Sequence, residues 1–83
     1  MSANIYWRPV DTSRNDLPVS TPSMFIDSMR EAFGQLPVKL GPGEIPVLKG
    51  MASVKGFGTQ NDAFKVLIEK IEQIGEIEVW AEW

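Results

Sequence analysis

The sequence predicts an α+β domain: a small two- or three-stranded sheet formed by the chain ends and packed against two or three helices. Three observations predict it. Asn4–Arg8, "NIYWR", is aromatic and β-branched and stops at Pro9, as a strand does. The last stretch, "GEIEVWAEW", alternates apolar and polar residues from Glu76 onward, the period of a half-buried strand. Between them lie segments with apolar residues at helical spacing, each ending near a glycine or a turn former.

In the first strand, Ile5 and Trp7 fall on one face and Tyr6 and Arg8 on the other. Residues 10–20, "VDTSRNDLPVS", are polar and rich in turn formers, the composition of a long and mobile loop. The first helix starts at "STPSMFIDSMREAFG", where Thr21 suits the N-cap and Pro22 the first helical position. Phe25, Met29, Ala32 and Phe33 form its core-facing stripe, and Gly34 suits a left-handed end. Leu36, Val38 and Leu40 alternate, so 36–40 reads as a short strand, confined to an edge by Pro37. A second, short helix begins near Pro46, with Leu48, Met51 and Ala52 on one side and Gly50 costing it ~1 kcal/mol relative to alanine. Asn61 is the expected cap of the third helix, whose buried face is Phe64, Leu67, Ile68, Ile71 and Ile74, ending at Gly75. In the last strand Ile77, Val79, Ala81 and Trp83 point one way, so Trp83 is expected to close the core. Glu76, Glu78, Trp80 and Glu82 point the other way.

A chain of 83 residues makes one domain, spanning 1–83, and must use its core fully. Its 43% apolar and 23% charged residues are ordinary for a globular protein. The net charge of −3 is uneven: Asp62–Trp83 carries six acids against two lysines, while the first 61 residues carry five acids and six bases. An acidic surface disfavours nucleic acid, whose binding relies on Lys and Arg neutralising phosphates. With no cysteine there is neither a disulfide nor a thiolate metal site. With no histidine, a Ser-His-Asp triad is impossible and the commonest general base and zinc ligand are missing. No apolar run approaches the ~18 residues of a membrane span. The start "MSANIYWRPV" has neither the basic nor the apolar region of a signal peptide, so a cytoplasmic, non-enzymatic protein is expected, without cofactor, metal or membrane.

"KGFG" at Lys55–Gly58 matches the opening of the RNA-recognition-motif pattern, but Thr59, Gln60 and Asn61 follow where base-stacking strand residues belong. A Gly-rich turn around Phe57 is the plainer reading. Neither "GPGE" nor "KGFG" has phosphate-loop spacing. Glu76, Glu78 and Glu82 share one strand face, which suits a solvated edge that resists aggregation better than acid–base chemistry.

The candidate interaction surface is Tyr6, Arg8, Glu78, Trp80 and Glu82. Pairing of the terminal strands would place them together, and aromatic residues with arginine inside a polar rim are the composition of protein interfaces. The alternatives for Trp80 are an isolated surface tryptophan and a residue buried under loop 10–20. "NIYWRP" (4–9), "TPSMFIDSMREAFG" (21–34), "VLKGMA" (47–52) and "GEIEVW" (75–80) resemble a group of small uncharacterised proteins encoded in bacteriophage and prophage genomes. That resemblance implies a short phage-derived protein acting in the bacterial cytoplasm, with no catalytic residue set to carry over. The expected function is a phage accessory protein that engages a protein partner from host or phage, its oligomeric state left open. The alternative is a nucleic-acid-binding module resembling an RNA-recognition motif. A third reading is an acidic mimic of nucleic acid using Glu72, Glu76, Glu78 and Glu82.

Overall fold

The computed structural model describes residues 3–10, 12–19, 21–54 and 58–82. Strands β1 (Asn4–Pro9) and β4 (Ile77–Glu82), from opposite ends of the sequence, pair antiparallel in the middle of the sheet. Two short strands complete it: β2 (Asn15–Asp16) pairs with β1, and β3 (Val38–Leu40) pairs with β4. The strand order is β2-β1-β4-β3, all antiparallel. Three α-helices, α1 (Pro22–Phe33), α2 (Ile45–Ala52) and α3 (Gly58–Ile74), complete the α+β architecture among the described residues.

The alternation of the central strands decides where the core lies. Ile5, Trp7, Ile77 and Val79 are all buried, and with Leu40 they form the inner sheet face. On it pack Phe25, Ile26 and Met29 of α1, Leu48 and Ala52 of α2, and Ala63, Phe64, Leu67, Ile68 and Ile71 of α3. Phe25 and Phe64 stack with centroids 5.1 Å apart, which ties α1 to α3. The Lys70 ammonium sits 5.6 Å above the Trp7 ring, so α3 also covers the edge of β1.

Helix ends follow the local chemistry. Pro22 occupies the first turn of α1, where its missing N–H costs nothing. Gly34 and Gly75 reverse the chain with φ of 85° and 109°, and their N–H groups donate to the carbonyls of Arg30 and Ile71, both at 2.8 Å.

The structure revises several expectations. Segment 10–20 is not all loop: Asn15–Asp16 form β2, Leu17 is buried, and its N–H donates to the Ile5 carbonyl at 2.9 Å. The sheet therefore has four strands where two or three were expected. The edge strand expected over 36–40 is shorter, beginning at Val38, since Pro37 has no N–H for the ladder. Thr21 precedes α1, but its hydroxyl makes no capping hydrogen bond. On α1 the buried stripe takes Ile26 in place of Ala32, which is exposed, so the helix is rolled about its axis toward the Ile26 flank. Asn61 lies inside α3, not at its cap, and its amide donates to the Val54 carbonyl at 2.6 Å. Ile74, one residue before the reversal at Gly75, is 44% exposed. Trp83 and Phe57 lie outside the described residues.

Candidate interaction surface

The outer sheet face is set by the register of β1 on β4. Tyr6 stands opposite Trp80, Arg8 opposite Glu78, and Asn4 opposite Glu82. Because side chains alternate, these pairs point away from the helices whenever Ile5, Trp7, Ile77 and Val79 point toward them. The five expected residues, Tyr6, Arg8, Glu78, Trp80 and Glu82, accordingly share one face.

Their contacts form a continuous layer. The Tyr6 and Trp80 rings lie 5.9 Å apart at a 33° tilt. The Arg8 guanidinium sits 5.3 Å from the Trp80 centroid, and the Arg14 guanidinium 4.3 Å from that of Tyr6. Two rings are thus flanked by two cations, a favourable placement over the negative π-faces. Each cation is also held by a carboxylate. Arg8 Nε donates to Glu78 Oε1 at 2.9 Å, and Arg14 Nη1 donates to both Glu82 oxygens at 2.9 and 2.8 Å. The Trp80 indole N–H donates to Glu82 Oε2 at 2.9 Å. Trp80 is half-buried by these neighbours, neither an isolated surface residue nor one sealed under residues 10–20. Beside it a recess of about 120 Å³ opens between Arg30, Leu36, Pro37 and Ala81.

Arg14 is the member that sequence reasoning missed. It precedes β2, a strand of two residues, too short to show any alternation. Its positive charge in an otherwise polar "SRND" was the only available signal. Asp16, opposite Tyr6, and Lys39, opposite Glu78, also fall on this face, which thus carries three cations and three carboxylates, joined by the ion pairs Arg8–Glu78 and Arg14–Glu82. Among the described residues there is no group of three or more carboxylate, His or Cys side chains placed to hold a metal ion.

The indole N–H of Trp80, and then the Arg14 guanidinium, hold the Glu82 carboxyl below the ordinary carboxylate range. The same contact raises Arg14, so that pair stays charged across neutral pH. Glu82 binds its proton less readily folded than unfolded. Its contribution to stability is therefore present above the ordinary glutamate pKa of about 4.3, and is lost as pH falls through the depressed folded value. In a carboxyl NMR titration the Glu82 midpoint should lie below that reference. Trp80→Phe, which keeps a ring but removes the N–H, should move it upward, and an unmoved midpoint would show the indole bond to be irrelevant.

Comparisons of the chain with protein-family models, with curated proteins and with solved structures find no match. No helix is long and apolar enough to cross a membrane among the described residues.

Proposed function

We propose that this chain is a non-catalytic protein-interaction module, an accessory protein of the phage or prophage type acting in the bacterial cytoplasm, whose outer sheet face docks a protein partner. The observation that carries the reading is the Arg14–Tyr6–Trp80–Arg8 layer, two rings between two guanidiniums on the uncovered side of the sheet. Such a layer is already ordered before binding. Rings and arginines pinned by Glu78 and Glu82 lose little side-chain freedom when a partner lands on them. Aromatic residues and arginine are also the side chains that dominate binding energy where proteins meet. The resemblance of the terminal and helical segments to phage-encoded proteins supports the biological setting, and the lack of histidine and cysteine supports a role without catalysis.

The test is retention of a bacterial protein by the immobilised chain, compared with Trp80→Ala. This substitution removes one aromatic pair, one cation–π contact and the indole hydrogen bond to Glu82, and should cost about 1–3 kcal/mol of stability, leaving the fold intact. A partner retained by the wild type in stoichiometric amount and released by Trp80→Ala is the expected result. A partner that binds both equally removes the sheet face from the reading.

One observation favours a second reading. Aromatic rings on the open face of an antiparallel sheet are also the arrangement on which single-stranded bases stack. The charge balance opposes it, since Arg8, Arg14 and Lys39 face Glu78, Glu82 and Asp16 and leave no surplus for phosphates. Gly58 opens α3, so the strand that an RNA-recognition pattern needs after "KGFG" is helix. Salt-sensitive binding of labelled oligo-U or oligo-dT, abolished by Trp80→Ala, would decide for this second reading.

A further inference from the structure

A groove of about 570 Å³ separates α1 from α2 and shares no residue with the outer sheet face. Its apolar lining is Met24, Met51, Val54 and Phe64. Met24 and Val54 are 38% and 47% exposed, so the groove opens apolar side chains to solvent. Along the α1 wall run Asp27 and Glu31, one helical turn apart and both exposed. Among the described residues neither carboxylate takes part in an ion pair, although Arg8 and Arg14 show that this chain pairs carboxylates elsewhere.

We propose that this groove docks a basic amphipathic helix of a partner protein. Three features fix that choice of occupant. The apolar strip between two helices matches the stripe of an amphipathic helix laid along it. Methionine on opposite walls, at 24 and 51, adapts its shape to the inserted side chains. The two exposed carboxylates, spaced four residues apart, match lysines or arginines at the same spacing on the incoming helix. An acidic or neutral helix would leave Asp27 and Glu31 uncompensated at the rim, or repelled. The proposal stands independently of the sheet-face reading, because the residues are separate.

The probe is a fluorescein-labelled amphipathic peptide made only of leucine and lysine, about four helical turns long. It should bind the full chain in fluorescence anisotropy, shift the methyl NMR signals of Met24 and Met51, and bind Trp80→Ala as tightly as the wild type. The double variant Asp27→Asn, Glu31→Gln changes only exposed side chains and should fold normally by circular dichroism. It should bind the peptide about three- to tenfold more weakly, the effect of two exposed ion pairs. A matched peptide of leucine and glutamate should bind far less. Equal affinity of the two peptides, an unchanged affinity in the double variant, or peptide-induced shifts at Tyr6 and Trp80 in place of Met24 and Met51 would each overturn the proposal. So would a concentration-dependent dimer of the chain that shifts Met24 and Met51 without peptide, since the groove would then belong to a second copy.

Discussion

Phe25→Ala should cost the fold ~3–5 kcal/mol, the cost of emptying a fully buried aromatic site. Phe25 has no exposed surface and stacks on Phe64 at 5.1 Å, so the substitution opens a cavity and removes the ring contact that joins α1 to α3. The size of the chain makes this loss severe. At roughly 0.05–0.15 kcal/mol per residue, an 83-residue domain holds only about 4–12 kcal/mol in total. Each ~1 kcal/mol moves the melting temperature of so small a domain by about 4–8 °C, so a fall of at least ~12 °C is expected by circular dichroism. Met24→Ala, one residue away and exposed, is the control and should change stability by less than ~0.5 kcal/mol. A fall below ~5 °C for Phe25→Ala would mean that α1 does not pack on α3 as described.

Leu17→Ala is expected to cost ~2–5 kcal/mol, far more than any change in a solvated loop. Leu17 is 3% exposed and its N–H donates to the Ile5 carbonyl, so one residue both fills the core and extends the β2 pairing. Urea unfolding measures the loss, and hydrogen exchange gives an independent check, because the Leu17 amide should be protected while that of the exposed Asp16 exchanges freely. A cost below ~0.5 kcal/mol with a fast-exchanging amide would return residues 10–20 to a loop.

Why that segment hid in the sequence is a matter of length. A pattern of period two needs several residues to declare itself, and β2 has two. The apolar residues that follow it, Leu17 and Val19, are separated by a proline and surrounded by turn formers, a composition that points to loop. Arg14 was lost with it. The central strands were legible because alternation places Ile5, Trp7, Ile77 and Val79 inside and Tyr6, Arg8, Glu78 and Trp80 outside, whatever partners they take. The face of a helix was legible to within one position only. Phe25 and Met29 fix the α1 stripe, but whether it widens toward Ile26 or Ala32 depends on how the helix rolls against its neighbours, which spacing does not encode. The start of α3 failed for a related reason. Its first turn, from Gly58, carries no apolar residue, so the periodic signal begins only at Ala63 and the cap-like residue nearest to it is Asn61, already inside the helix.

The pairing of Asn4 with Glu82 has a kinetic side. Strand β1 has its main partner in β4, with all three helices lying between them in the sequence, so the sheet cannot close until β4 has been made. Helices α1, α2 and α3 leave the ribosome with the apolar face of β1 waiting for β4, and contacts of such sequence separation are slow to form because a long loop must be closed before they yield stability. Closure of the sheet is in that sense a late step for this domain, and until β4 arrives Ile5 and Trp7 lack their partner strand and are open to whatever chaperone or partner is nearby.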